Sequence, residues 1–323
     1  MKAVLYPFAP EEPIVRLVRD FPQLQWAIAA SPDDIAREIG AATILVTSNR
    51  VCSPAYGDAL RRHAGQALKW IHFTSAGIDR GLRMGLPDWA TVTNATGVKA
   101  AMVSEHALAL LLALVRRLPE LAADQLARRW RHDDAMAKVA TLEGATVCIV
   151  GLGSIGREVA RKAKAFDARV IAVSRAGSAE GAVGQVFPRG RIGEALAMAD
   201  AVVVCTSSEA ESFHLIDAAA LAAMGPKGLL VNVARGDIVD GAALIAALQA
   251  GRLGGAALDV AEVEPLAPTS PLWDLPNVII SPHIAGGGSF GYPQQKALFA
   301  ENLLRFCAGE ALLNVCRTSG EAV

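Results

Sequence analysis

A chain of 323 residues has room for about two domains of ordinary size. Its charges nearly cancel, to a formal net of −1, so no long-range field draws it to nucleic acid or to an anionic membrane surface. That balance leaves small molecules, or a second copy of the chain, as partners.

In chain order, "KAVLY" at 2–6, "TILVTS" at 43–48, "LKWIHF" at 68–73 and "TVTNA" at 91–95 read as a first series of strands. Ala/Leu/Arg-rich stretches of helical period separate them, the pattern of a parallel sheet flanked by helices. "VSEHALALLLALVRRLPEL" at 103–121 predicts a long helix stopped by Pro119. Its apolar run, 107–115, is too short to cross a bilayer that needs ~20 residues. The N-terminus has no sustained apolar segment of the kind a secretory leader carries. A cytoplasmic protein is expected.

A second strand series follows: 146–151, 169–174, 201–205, 229–234, 255–260 and 277–282. A final helix is predicted over 294–316, ending near Gly309. The fold class expected is α/β, with two Rossmann-like domains built on parallel sheets. Five cysteines show no metal-ligand spacing and no CxxC pair, so neither a metal site nor a structural disulfide is expected.

Within the second series, "VCIVGLGSIGREVARKA" places Gly151, Gly153 and Gly156 in a GxGxxG pattern between an apolar strand and a helix. The first glycine permits a tight turn, the second lets the backbone approach a pyrophosphate, and the third allows close helix–strand packing. The helix start at Ser154 and Ile155 then turns N–H groups toward the phosphates. An NAD enzyme commonly offers an acid to the adenosine ribose about 20 residues on. Here Ser174, 18 residues beyond Gly156, stands in that place and Arg175 follows. A guanidinium can pair with a 2′-phosphate that a carboxylate would repel. An isolated Arg is more often a solvated loop residue. The missing acid tips the choice to NADP(H), with NAD(H) still possible.

Three later segments each set a polar residue just beyond a strand: Arg235 in "VNVARGDIVD", Glu264 in "GAALDVAEVEPL" and His283 in "VIISPHIAGG". In an open parallel sheet ligands bind outside the carboxyl ends of the strands. The three are therefore expected to converge near the cofactor. His72 and His106 read as packing or hinge positions, and His63, His132 and His214 as surface residues.

These motifs resemble the D-isomer-specific 2-hydroxyacid dehydrogenase family, of the glyoxylate/hydroxypyruvate reductase type. "SAGID" at 75–79, "VTNATGV", "VSEHALALLLAL", "HLID", "ALDV" and "LWDLPNVIISPHIAG" carry the resemblance in the family's order across nearly the whole chain. The resemblance implies a substrate domain of residues 1–97 and 285–323, with a cofactor domain of residues 98–284 inserted into it. It implies that Arg235 holds the carboxylate and keto oxygen of a small 2-oxo acid. His283 would be the general acid, and Glu264 would orient its imidazole. Asp259 would orient the nicotinamide carboxamide, and Ala76 and Gly77 would take the substrate carboxylate through their backbone. Ser207, Val233, Ala234 and Gly286 would complete the cofactor contacts, and the protein would be a homodimer. Ala261 departs from the family, which commonly has an aromatic residue there. Two other readings stay open: an NAD-linked dehydrogenase of an oxyanion such as formate or phosphite, and a non-catalytic NAD(P)-sensing partner protein.

Overall fold

A computed structural model describes residues 1–175, 181–207, 210–287 and 291–317. The chain forms two compact units, one of Met1–Lys99 with Gly288–Val323 and the other of Ala100–Gly287. Both are α/β, so the Rossmann-like expectation holds.

Among the described residues, the first unit has a six-stranded sheet in the order β13-β5-β4-β3-β1-β2. Its strands are β1 (Lys2–Tyr6), β2 (Gln25–Ile28), β3 (Ile44–Thr47), β4 (Trp70–Phe73), β5 (Thr91–Thr93) and β13 (Val315–Arg317). All pair in parallel except β13, which runs antiparallel to β5 with Val315 opposite Thr93. Side chains alternate across β1. Val4 and Tyr6 enter one core with Leu45, Ile71 and Phe73, while Ala3 and Leu5 enter another with Trp70 and Phe299. A parallel sheet covered on both faces needs such continuous apolar strands.

The second unit has a seven-stranded sheet, in the order β12-β11-β10-β9-β6-β7-β8. It comprises β6 (Thr146–Val150), β7 (Arg169–Val173), β8 (Gln185–Phe187), β9 (Ala201–Val204), β10 (Leu229–Asn232), β11 (Gly255–Leu258) and β12 (Val278–Ile280). Every pairing is parallel. In β6, Val147 and Ile149 face the helices Ala100–Val115 and Ser154–Ala165, whereas Cys148 and Val150 face the opposite layer with Leu221 and Leu244.

Three short strands, β2, β8 and β13, were absent from the sequence-based expectation. The long helix also differs. It runs Ala100–Val115 and ends before Arg117, which adopts a left-handed φ of 55°. Pro119 does not stop it. It sits instead in the first turn of a separate helix, Leu118–Leu126, where proline's missing N–H costs nothing because the first turn has no intrahelical acceptor for it. The C-terminal helix is Tyr292–Ala308, followed by Gly309 at φ 71°, a left-handed helix end that glycine reaches without strain. No helix among the described residues is long and apolar enough to cross a membrane.

Candidate active site

Because the strands of the second sheet are parallel, their carboxyl ends share one edge, and the order reverses between β6 and β9. The expected cofactor residues follow these ends. Gly151, Gly153, Ser154, Ile155 and Gly156 follow β6, Ser174 and Arg175 follow β7, and Ser207 follows β9. Val233, Ala234 and Arg235 follow β10, Asp259 follows β11, and His283 and Gly286 follow β12. A crevice at the reversal point is where open α/β sheets take dinucleotides.

The turn after β6 packs closely at Gly151 and leaves an approach open at Gly153. Gly151 has φ 103°, and a Cβ there would stand 2.7 Å from the backbone of Thr206, so the turns after β6 and β9 pack directly together. Gly153, the N-cap of the helix Ser154–Ala165, has nothing within 4 Å of where its Cβ would be. An approach left open at a helix N-terminus suits a pyrophosphate. Ser174 N donates to Phe187 O at 3.0 Å, which seats the end of β7 against β8. Arg175 next to it is exposed.

Arg235 leaves β10 through a turn held by a buried amide that sequence reasoning missed. Asn232, 1% exposed, accepts from Ala234 N through Oδ1 at 3.0 Å, and its Nδ2 donates to Arg235 O at 2.9 Å. The guanidinium of Arg235 donates to Ala234 O at 2.8 Å. The next residue, Gly236, presses against the loop that bears Glu264. A Cβ at Gly236 would lie 2.0 Å from the Ala261 backbone. A buried polar residue at the end of an apolar strand, and a glycine after a charged one, were the available signals for these two roles.

His283 Nδ1 lies 2.8 Å from Glu264 Oε2, and Ala261 N donates to Glu264 Oε1 at 3.2 Å. The carboxylate is thus fixed on one side by its own loop and faces the imidazole on the other. The His283 side chain remains 40% exposed, which leaves it accessible to a ligand. A carboxylate–imidazole pair of this kind can hold and deliver a proton.

Asp259 is 1% exposed. Its Oδ1 accepts from Ser281 Oγ at 2.6 Å and Ile284 N at 2.9 Å, and its Oδ2 accepts from Ala285 N at 2.9 Å. It therefore fastens the turn on which His283 sits, a task the sequence did not reveal. His106, expected at a packing or hinge position, has its Nε2 2.9 Å from Ser281 Oγ. His214, expected at the surface, is half-buried with Nε2 3.1 Å from Glu262 Oε1.

Ala76 and Gly77 lie in the first unit, in the loop after β4. There the carbonyls of Ser75, Ala76 and Gly77 are taken by Ala95 N at 3.1 Å, Asn94 Nδ2 at 2.7 Å and Ser75 Oγ at 2.9 Å. Asn49 N donates to Ser75 Oγ at 3.3 Å and so helps to shape the same loop. With its carbonyls engaged, the loop can present backbone N–H groups to an anion.

Residues 108–285 match the family model described as D-isomer specific 2-hydroxyacid dehydrogenase, NAD binding domain. A D-3-phosphoglycerate dehydrogenase of Archaeoglobus fulgidus is 30% identical over 97% of this chain, which spans 59% of that relative's length. A glyoxylate reductase of Thermococcus gammatolerans is 34% identical, covering 83% of this chain and 80% of its own. The crystal structure of an NADPH-dependent glyoxylate/hydroxypyruvate reductase from Sinorhizobium meliloti, in complex with citrate, superposes with a TM-score of 0.79 at 29% identity, over 100% of both chains.

Proposed function

The chain belongs to the D-isomer specific 2-hydroxyacid dehydrogenase family, and on that premise we propose that it reduces small 2-oxo acids of the glyoxylate or hydroxypyruvate kind to D-2-hydroxy acids, using NADPH in preference to NADH. The observation that carries this reading is the His283–Glu264 pair at 2.8 Å, on the same sheet edge as Arg235 and the glycine turn.

The residues divide the work as follows. A bound nicotinamide supplies the hydride that reaches C2 of the substrate. Arg235 binds the substrate carboxylate and keto oxygen with a planar, permanently charged fork. Ala76 and Gly77, in the first unit, offer backbone N–H groups to a substrate carboxylate. His283 gives its proton to the keto oxygen as charge develops there, while Glu264 holds the imidazole in the orientation that presents it. Ser174 and Arg175 bind the 2′-phosphate that distinguishes the preferred cofactor, a preference that the NADPH dependence of the Sinorhizobium enzyme also supports. Asp259 orients the carboxamide, alongside contacts from Ser207, Val233, Ala234 and Gly286.

The protein acts as a homodimer joined through its cofactor unit. Support comes from Leu126, Trp130 and Met136, which are 88%, 93% and 62% exposed in one short stretch of that unit. Large apolar side chains gathered in this way mark an association surface. A monomer in sedimentation analysis at micromolar concentration would remove this part of the proposal.

The functional test is one absorbance assay of nicotinamide oxidation, run with NADPH and NADH against a panel of 2-oxo acids. Turnover of glyoxylate or hydroxypyruvate with NADPH is expected. Oxidation of formate or phosphite without 2-oxo acid reduction would overturn the reading, as would cofactor binding with no turnover.

A further inference from the structure

His283 stands on a strained turn. Its φ is 56°, in the left-handed region that non-glycine residues rarely occupy. Such a conformation persists only where the surroundings over-determine it. Here His283 N donates to Asp259 O at 2.7 Å and to Ser281 O at 3.0 Å. The next two N–H groups, of Ile284 and Ala285, close on the two oxygens of the Asp259 carboxylate. Asp259 thus grips the turn by both its main chain and its side chain.

What orients Asp259 is a chain of two further side chains. Ser281 has a single hydroxyl proton and gives it to Asp259 Oδ1 at 2.6 Å. The 2.9 Å contact between Ser281 Oγ and His106 Nε2 must then run the other way, with the imidazole N–H donating and the hydroxyl accepting. This sets the proton on Nε2 of His106. The same Nε2 lies 3.4 Å from Asp259 Oδ1. His106 belongs to the helix Ala100–Val115, whose Ala107 and Leu111 are fully buried against the sheet. A rigid helix is thereby linked to the turn after β12 by hydrogen bonds that run through two half-buried side chains and end on a buried carboxylate, and polar chains that reach into such a low-dielectric site confine geometry when their members are satisfied.

We propose that His106 and Ser281 are positioning residues for His283: acting through Asp259, they hold the turn in the strained form that directs the imidazole onto Glu264. The proposal rests on the functional reading above only in its kinetic part. Loss of either residue should loosen the turn without touching the substrate-binding groups, so kcat should fall while KM does not.

The test uses the full-length protein with Ser281→Ala, Ser281→Thr and His106→Phe. Hydrogen–deuterium exchange of the 281–287 segment is followed in the protein without substrate, and kcat and KM are measured with a 2-oxo acid and NADPH. Ser281→Ala and His106→Phe should speed exchange at Ile284 and Ala285 about tenfold, the factor that ~1.4 kcal/mol gives, with exchange in β6 and β10 unchanged. They should lower kcat roughly tenfold or more, as misplaced catalytic groups do, with KM within about twofold. Ser281→Thr keeps the hydroxyl and should restore both readouts. Unchanged exchange at 284 and 285 overturns the proposal whatever the activity. Faster exchange with unchanged kcat overturns the catalytic role. Exchange that quickens throughout the unit, with a lowered Tm and normal kcat per folded molecule, shows a merely structural contact and also overturns it. A wild-type protein inactive on every 2-oxo acid refutes the functional reading, while the exchange result still decides whether His106 and Ser281 hold the turn.

Discussion

Gly156 rides directly on Gly151: a Cβ added to Gly156 would stand 1.9 Å from the carbonyl oxygen of Gly151. At Gly153, three residues earlier, nothing lies within 4 Å. Two glycines of one motif therefore serve different purposes. Gly156→Ala should destabilise the unit, because backbone must shift to admit the methyl. Gly153→Ala should leave Tm nearly unchanged yet weaken NADPH binding by about tenfold or more, since its methyl fills the approach a pyrophosphate needs. Thermal melts and fluorescence titrations with NADPH separate the two effects. Equal losses of stability in both variants would contradict the assignment.

Replacing His283 by Asn removes the proposed acid, and kcat should fall by roughly 10²- to 10⁴-fold, the usual contribution of general acid–base catalysis. Glu264→Gln keeps an acceptor for Nδ1 but removes its charge, and a smaller loss of roughly tenfold is expected. Steady-state rates at saturating 2-oxo acid measure both. Full activity in His283→Asn would sink the mechanism.

Cofactor choice is proposed to turn on Arg175. Arg175→Ala should raise the Kd for NADPH about tenfold or more, as the loss of a charge-assisted bond implies, and leave that for NADH unchanged. Calorimetric titration with the two cofactors checks this. An equal effect on both would return Arg175 to the role of a solvated loop residue.

His72 makes stability depend on pH. Its ring is buried beside Trp70 and Phe299, and burial pushes its pKa down from 6.5 to about 4. Nδ1 meets Thr93 Oγ1 at 2.9 Å. The unfolded chain binds a proton below pH 6.5 that the folded chain refuses until about pH 4. The stability contributed by the neutral ring is thus complete above pH 6.5 and lost progressively as pH falls to 4, on the order of 3 kcal/mol in all. Urea titrations between pH 7 and 4 should show this decline, and His72→Phe should flatten it. An equally steep decline in that variant would assign the effect to other groups.

Thiol chemistry should divide the cysteines. Cys52 and Cys148 are buried, and burial pushes both thiols up to about 12. Cys205 is half-buried, with its thiol likewise pushed up to about 12. Only Cys307 and Cys316 are exposed. Reaction follows the thiolate fraction and access, so a colorimetric disulfide reagent should label two thiols in the folded protein and five in denaturant. Rapid labelling of a third would place Cys205 within reach of solvent.

Much of this was legible from residue order, for identifiable reasons. Central strands such as β6 and β9 are buried on both faces and read as unbroken Val/Ile/Cys runs. The edge strands β2, β8 and β13 carry Gln25, Gln185 and Arg317, and their pairing comes from neighbours rather than from composition. The end of the helix at Arg117 rests on a left-handed residue that is not glycine, and Pro119 opens a helix where it was expected to close one. In the site, Arg235, Glu264 and His283 stood out because each charged or titratable group follows an apolar run. The groups that aim them did not. Asn232 works within its own turn, two and three residues from its partners, but Ser281 and His106 act across 22 and 175 residues in sequence, and only the folded backbone brings those partners together.

The path of the chain also constrains its birth on the ribosome. Trp70 stacks on Phe299, with ring centroids 5.3 Å apart, and β13 pairs with β5 from still later in the chain. Synthesis runs from the N-terminus, so the first unit cannot seal its interior while its opening 99 residues emerge. The unit of Ala100–Gly287 has every strand of its sheet available earlier. Of the two units, the one begun first is therefore completed second, and until Phe299 arrives the side chains around Trp70 lack their closing partner and are exposed to chance association.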